Sequence, residues 1–392
     1  MRLSTLILLL LTSVPTATLQ AQGLNDVLQQ IEENNLSLKA INENIIAGDL
    51  RNRAASNLPD PSISYTSVYT NGAAPGHATE FSATQSLQFP TYYLQRNKQN
   101  RLALSALQAD YQVAKQTVLL EAKQQCLDLI YFGKIATLLQ HRTQSIHQLA
   151  LRLDSAARMG NVNQLDNHRT AMEQMNLIAT TKQNDANIRA AVQALHALNG
   201  GLPLNIENLH YPKVVLPRNF TTLQDQATAS DANILQAKAQ LSVARGQIKV
   251  ARQGWMPSIN AGFKRSTDNA HSMNGFVVGM SIPLFANQKV AKAAKAEALQ
   301  KQWNYEDAML KTTSQLMALH TEALQLEEAL EVYAPEVIHS TIELLESALI
   351  EGHINLMQYF TESEKAYQTL LQQLELERQY HKVAAQLFKF EL

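Results

Sequence analysis

The stretch Leu58-Pro59-Asp60-Pro61-Ser62-Ile63-Ser64 marks the point where a helical pattern changes into a strand pattern. Its prolines end the single helix predicted upstream over about residues 24–57, because proline removes a backbone N–H and blocks the next helical turn. Apolar and hydroxyl-bearing side chains then alternate, which is the twofold period of a β-strand. The stretch Trp255-Met256-Pro257-Ser258-Ile259-Asn260 repeats this change about 195 residues later.

Further landmarks recur in the same order and indicate a duplicated chain. Ser86-Leu87-Gln88-Phe89 corresponds to Ser281-Ile282-Pro283-Leu284. Gly160-Asn161-Val162-Asn163 corresponds to Gly352-His353-Ile354-Asn355. We therefore predict a first repeat over residues 22–200, a connector over residues 201–222 and a second repeat over residues 223–392.

Each repeat contains two alternating runs joined by a loop, the pattern of a β-hairpin. The runs predict strands at about residues 61–70, 79–89, 257–266 and 275–285. Each is about 9–11 residues long, which is the length that crosses a bilayer at a tilt. Four strands cannot close a barrel, and open sheet edges are not stable in lipid, so a membrane location requires several chains to pool their strands. The alternative is a small soluble sheet that packs on the helices.

The alternation also assigns the two faces of this sheet. We expect four apolar residues to face lipid, namely Ile63, Phe81, Phe276 and Val278. The hydroxyl-bearing residues Ser64, Ser82 and Thr84 would then face a lumen. An outward apolar face with a polar interior is typical of outer-membrane barrels.

Long stretches with almost no glycine or proline predict tall antiparallel helices outside the hairpins. The run from about Leu94 to Met159 would extend about 100 Å as one helix. Its counterpart from about Lys289 to Ile350 contains Pro335, which should kink or break the helix. Shorter helices, predicted at about residues 162–198 and 354–390, return from the far ends of these runs.

Composition excludes several classes of protein. The 392 residues carry 33 basic and 34 acidic side chains, a net charge of −1 that argues against nucleic-acid binding by bulk charge. The single cysteine, Cys126, rules out an intramolecular disulfide and a cysteine-based zinc site. The chain contains no G-x-S-x-G, H-E-x-x-H, P-loop or dinucleotide-binding motif, so we predict neither an enzyme nor a cofactor or metal site.

The N-terminus has the pattern of a secretory signal peptide. Arg2 precedes the apolar run Leu6-Ile7-Leu8-Leu9-Leu10-Leu11, and small and polar residues follow up to Ala21. We predict a signal peptide over residues 1–21. No later segment offers about 20 consecutive apolar residues, so any membrane contact would have to involve the strands or a helix surface.

The whole mature chain resembles the TolC-type outer-membrane efflux proteins. The resemblance rests on the duplicated halves, the prolines at 59 and 61, the strand exit Ser281-Ile282-Pro283-Leu284-Phe285 and the turns at Gly160 and Gly352. It implies a homotrimer in which each chain adds four strands to a twelve-stranded outer-membrane barrel, while the helices form a periplasmic α-barrel tunnel. The short chain and Pro59-Asp60-Pro61 resemble the metal-cation branch of the family.

The implied function is the outer-membrane exit duct of a tripartite efflux system, with a periplasmic adaptor and an inner-membrane pump as partners. The resemblance places Gly160, Val162, Gly352 and Ile354 at the periplasmic tips that meet the adaptor. Family tips often carry acids after the second glycine, but Gln358 stands at one of those places here, so the candidate gate region is Asp166, Gln358 and Glu362. The alternative function is a soluble periplasmic coiled-coil adaptor or scaffold.

Overall fold

A computed structural model of the chain describes residues 23–70, 76–158, 164–206, 209–268, 270–283 and 288–392. The predicted signal peptide lies outside these residues. The described elements in chain order are α1 (Leu24–Asn34), α2 (Leu36–Ala54), β1 (Ser62–Thr70), β2 (Gly76–Leu87), α3 (Pro90–Arg158), α4 (Gln164–Leu198), α5 (Phe220–Ser230), α6 (Ala232–Gln253), β3 (Ser258–Thr267), β4 (Ser272–Ser281), α7 (Gln288–Glu331), α8 (Pro335–Ile350) and α9 (Leu356–Leu387).

The helix expected over residues 24–57 is split into two, and the second repeat has the same division before its hairpin, between α5 and α6. The break in the first repeat is at Asn35, whose side chain accepts a hydrogen bond from the Leu38 N–H at 3.0 Å. The break in the second is at Asp231, which accepts from the N–H groups of Asn233 and Ile234. Both side chains are buried and cap the following helix, so they replace backbone bonds that a continuous helix would make.

The long helices differ between the repeats. Helix α3 is continuous over 69 residues, about 104 Å at 1.5 Å per residue. The corresponding run in the second repeat is interrupted, because Pro335 starts α8 as its first residue. Within the described ranges, no helix combines the length and the apolar character needed to cross a membrane.

The two hairpins join into one antiparallel sheet with the order β1-β2-β3-β4. Strands β2 and β3 pair from Thr79 opposite Thr267 to Leu87 opposite Ile259. The outer edges of β1 and β4 have no partner strand among the described residues. Strand β4 ends at Ser281, short of the predicted end at about residue 285. Pro283 follows closely and has no N–H to donate to a neighbouring strand.

The core consists of separate clusters along the helices, and the two largest occupy corresponding places in the repeats. The first contains Val27, Ile31, Cys126 and Leu195, among others, from α1, α3 and α4. The second is built from α5, α7 and α9, with buried members that include Leu223, Leu316, Ala323 and Leu387. Burial raises the pKa of the Cys126 thiol to about 12, so this cysteine behaves as a small core residue.

Candidate functional site

The four strands present one continuous apolar face. Strand register aligns Ile63 with Ala83, then Ala83 with Phe263, and finally Phe263 with Phe276. Phe81 and Val278 lie two residues from members of this row, so strand alternation places them on the same face. Phe276 and Val278 are 90% and 80% exposed. The register therefore brings together all four residues that the sequence assigns to lipid, while their contact with lipid stays a prediction.

The opposite face is polar and more enclosed. The hydroxyl oxygens of Ser64 and Ser82 lie 2.8 Å apart, and the Lys264 ammonium lies 2.7 Å from a Glu80 carboxylate oxygen. Along β3 the residues on this face are half-buried, whereas those on the apolar face up to Arg265 are exposed. This is the face that the sequence assigns to a lumen.

The turn between α8 and α9 has the geometry of a Schellman helix end. Gly352 adopts φ +76°, a left-handed conformation that strains residues with a Cβ. The Gly352 N–H donates to the Leu349 carbonyl at 3.2 Å, and the His353 N–H donates to the Ala348 carbonyl at 2.9 Å. Ile354 is half-buried and packs against the cluster that contains Leu139, Ile146, Leu177 and Tyr359. The chain therefore reverses sharply at the predicted second-repeat tip.

Gln358 has a structural role in this turn. The Gln358 N–H donates to the Asn355 side-chain oxygen at 2.9 Å, while the Asn355 N–H donates to the Gln358 side-chain oxygen at 3.1 Å. This reciprocal pair is a capping box at the start of α9. Its side-chain oxygen is therefore engaged in holding the turn.

The other predicted tip and gate residues have different surroundings. Gly160 and Val162 lie outside the described residues. Asp166 is half-buried in the first turn of α4, where the helix dipole favours an acid. Glu362 is exposed and lies 2.9 Å from the Lys365 ammonium. Within the described ranges, no hydrogen bond or ion pair joins Asp166, Gln358 and Glu362 to one another.

Sequence reasoning missed an arginine that connects three helices near the tip. A guanidinium nitrogen of Arg142 on α3 lies 2.5 Å from Glu173 on α4 and 2.5 Å from Glu364 on α9. The same guanidinium stacks over the Tyr367 ring at 4.6 Å. Burial, together with the charge of Glu346, raises the pKa of the Tyr367 hydroxyl to about 12. More than 220 positions separate Arg142 from Glu364, so no local spacing indicates this contact.

A second polar cluster packs the connector against the helices. The Tyr211 ring stacks on His381 at 4.1 Å, and the Lys134 ammonium lies 4.7 Å from the Tyr211 ring centre. Lys134 also forms an ion pair with Glu377 at 2.6 Å. Burial lowers the pKa of His381 to about 4, and the positive charges of Lys134 and Lys123 act in the same direction. This histidine is therefore neutral near pH 7.

The sequence predicts no metal site, and the possible metal ligands in the described part of the chain are scattered. There, no group of three or more histidine, cysteine, aspartate or glutamate side chains is arranged to hold a metal ion. The metal-cation branch of the family thus stays a prediction that rests on sequence resemblance.

Comparison with known proteins agrees with this architecture. The sequence profile of the family described as outer membrane efflux protein matches residues 223–390. Outer membrane protein TolC of Escherichia coli (strain K12) is 25% identical over 259 residues, which are 62% of this chain and 51% of TolC. The predicted resemblance to TolC-type outer-membrane efflux proteins is confirmed. The match spans about half the length of that relative.

Solved structures extend the TolC-type likeness over nearly the whole chain. Crystal structures of CusC give a TM-score of 0.75 at 15% identity, covering 95% of each chain. The Campylobacter jejuni CmeC outer membrane channel gives a TM-score of 0.74 at 15% identity, covering 94% of this chain and 85% of CmeC. The predicted fold class, mostly helical with four antiparallel strands per chain, is confirmed. The family profile, TolC and CmeC are all described as outer-membrane proteins, which agrees with the predicted location.

Proposed function

We propose that this chain is the exit duct of a tripartite efflux system in the outer membrane. It would receive substrates from an inner-membrane pump through a periplasmic adaptor and pass them to the exterior. The observation that carries the proposal is a sheet with one apolar face, whose outer strands have no partner among the described residues, joined directly to a helix of about 104 Å. The TolC-type family match supports this interpretation.

Assembly as a homotrimer would satisfy the open edges of the sheet. The unpaired edges of β1 and β4 expose backbone N–H and C=O groups, which are costly in lipid. If β4 of one chain pairs with β1 of the next, three chains form a twelve-stranded barrel without edges. The apolar face would contact lipid, and the Glu80–Lys264 pair would face the lumen.

The turn at Gly352 would form part of the periplasmic end of the duct. Gly352 and Ile354, together with Gly160 and Val162 of the first repeat, would contact helical tips of the adaptor. Gln358 is uncharged and its side chain is engaged in the capping box, so Asp166 and Glu362 are the candidates for gate charges.

We also propose that the chain has no catalytic role and needs no cofactor. The family and relatives that it matches are outer-membrane efflux and channel proteins. The substrate would be selected mainly by the pump, because the duct contributes a path rather than a closed binding pocket.

Membrane extraction and an export assay test the proposal together. The protein should stay in the outer-membrane fraction after washing with high salt, and detergent should release it as a trimer. Cells without it should accumulate one or more members of a panel of dyes, antibiotics, Cu²⁺ and Zn²⁺, and the intact gene should restore export. A monodisperse monomer that is soluble without detergent would exclude the duct and favour the soluble adaptor or scaffold.

A further inference from the structure

The apolar face of the sheet carries a cation at its loop end. Arg265 on β3 is exposed and aligns with Phe81 on one side and Asn274 on the other. Its neighbour Lys264 points to the opposite face, where it pairs with Glu80 at 2.7 Å. No ion pair engages Arg265 within the described ranges. This guanidinium is therefore a charge without a protein counterion on the face that we assign to lipid.

The apolar face also lacks acidic side chains within the four strands. Glu80 is the single carboxylate in the residues of β1, β2, β3 and β4, and it lies on the lumen-assigned face. Arg265 thus gives the lipid-assigned face a net positive charge. Such a face attracts an anion, because no carboxylate on the same face of the four strands neutralises the guanidinium.

Hydrogen-bond donors surround Arg265 on the side of the loops. Asn274 lies directly opposite it, at the side-chain spacing of a cross-strand pair. One row closer to the loops, Thr267 aligns with Thr79 and with Ser272. On the other side of Arg265 the same face is apolar, beginning with the edge-on Phe263–Phe276 pair whose ring centres are 6.3 Å apart. Arg265 therefore marks the boundary between an apolar band and a rim of hydroxyl and amide groups.

The height of this boundary suits the outer headgroup region. Arg265 is two residues from the end of β3 at Thr267, which is about 7 Å along the strand. At a strand tilt of about 40°, this corresponds to about 5 Å along the membrane normal. The guanidinium can extend further outward on its methylene stem, as arginine commonly does near membrane surfaces.

We propose that Arg265, assisted by Asn274, binds the phosphate group of an outer-leaflet lipid on the outer wall of the duct. This rests on the proposed function, because it requires the apolar face to lie against a bilayer. The planar guanidinium offers paired N–H donors that match two phosphate oxygens. A lipid fits better than free phosphate, because its acyl chains would cover the phenylalanines directly below.

Native mass spectrometry of the detergent-purified trimer tests the site. The probes are dioleoyl phosphatidic acid and dioleoylglycerol, which have the same acyl chains and differ in the phosphate. The trimer should retain phosphatidic acid, up to one molecule per chain, in preference to dioleoylglycerol. Arg265→Gln should weaken phosphatidic acid binding about tenfold or more, the size expected for loss of charge-assisted hydrogen bonds. Lys264→Gln is the matched control, because it removes the same charge from the opposite face and should retain binding.

Four results would overturn the proposal, and three of them come from comparing the lipids and the variants. These are equal binding of the two lipids, no loss in Arg265→Gln, and an equal loss in Lys264→Gln, which would indicate bulk charge attraction. Displacement of phosphatidic acid by millimolar inorganic phosphate would also overturn it, by indicating a site for the free anion. Fractionation separates these failures from that of the duct: a chain absent from the outer membrane contradicts the proposed function itself.

Discussion

The two repeats share one plan but differ in the polar groups and in the continuity of their helices. In the first repeat, α3 runs without interruption, and the preceding helix pair is joined at the neutral Asn35. In the second, Pro335 separates α7 from α8, and the corresponding junction is the carboxylate of Asp231, 3.1 Å from the Lys389 ammonium. The two repeats therefore place a capping residue at the same junction, but the cap is a neutral amide in the first repeat and a carboxylate in the second.

The break in the second repeat lies beside a cavity whose other walls include α3. This cavity of about 570 Å³ lies beside Pro335, with His141, His339 and Tyr367 in its lining. An unbroken helix transmits a displacement along its whole length, whereas a break allows the two parts to move separately. We expect the second repeat to be the one that changes shape near the tip.

The largest expected effect compares the two buried cores. Leu195 and Leu387 are both fully buried, in corresponding clusters. Replacing either by alanine should lower the free energy of unfolding by about 2–5 kcal/mol, through lost burial and the cavity that remains. Denaturant or thermal unfolding in detergent measures this. Leucine-to-methionine variants are the controls and should cost less than about 1.5 kcal/mol. If the alanine substitution leaves the free energy of unfolding unchanged in one repeat and lowers it in the other, the two cores are not equivalent.

The next effect compares the hairpins of the two repeats. Ile63 and Phe276 lie in one row across the sheet, one row inside that of Arg265, so arginine at either position should destabilise insertion to a similar extent, by about 1–3 kcal/mol, between the costs at the interface and at the midplane. Ser64→Arg on the opposite face is the control and should cost far less. A folding assay into lipid vesicles measures the differences. Equal damage from all three variants would reject the assigned orientation.

A smaller effect tests the two helix junctions. Asn35→Ala and Asp231→Ala should each cost about 1–2 kcal/mol through loss of a buried cap. The second should cost more, because it also removes the ion-pair partner of Lys389. Asp231→Asn separates these contributions, since it keeps the capping oxygen and removes the charge. If Asp231→Asn is as damaging as Asp231→Ala, the charge matters more than the cap.

These junctions also show which features of the fold cannot be predicted from local sequence signals. The hairpins, the Pro335 break and the Gly352 turn follow from local signals, namely twofold alternation, a missing N–H and tolerance of positive φ. The breaks at Asn35 and Asp231 lack such signals, because a polar residue breaks a helix only when tertiary contacts hold it. For Asn35 that contact is the Leu198 carbonyl, 2.8 Å from its side-chain nitrogen.

The features of the candidate site likewise divide into those that local sequence patterns predict and those that depend on the fold. The common face of Ile63, Phe81, Phe276 and Val278 follows from alternation along each strand. The Asn355–Gln358 capping box is a local motif, whereas the family resemblance alone assigns Gln358 to the gate region. The Arg142 contacts with α4 and α9 could not be predicted, since they depend on helices that meet only in the fold.

Substitution of the turn glycine should affect function more than stability. Apart from the adjoining residues, no heavy atom lies within 4 Å of the position that a Cβ would take at Gly352, so the main cost of valine there is the strain of the positive φ, about 1–2 kcal/mol. The variant should therefore assemble normally while cross-linking to the adaptor and export decline. Gly133→Val is a matched control, because Gly133 also has open space at its Cβ but lies within α3 without a positive φ. Normal adaptor contact and export in Gly352→Val would reject this tip assignment.

The last expected effect is confined to acidic pH and arises at His381 in α9 of the second repeat. Because burial and nearby lysines lower the pKa of His381 from 6.5 to about 4, the unfolded chain binds more protons than the folded chain between these values. The contribution of His381 should be complete above about pH 6.5 and should decline as the pH falls toward 4. Thermal unfolding across this range should show a shallower pH dependence in His381→Gln than in the unaltered protein. Lys134→Met should narrow the window from its acidic end, since it removes a charge that lowers this pKa. Identical pH dependence in all three proteins would contradict the neutral, buried state of His381.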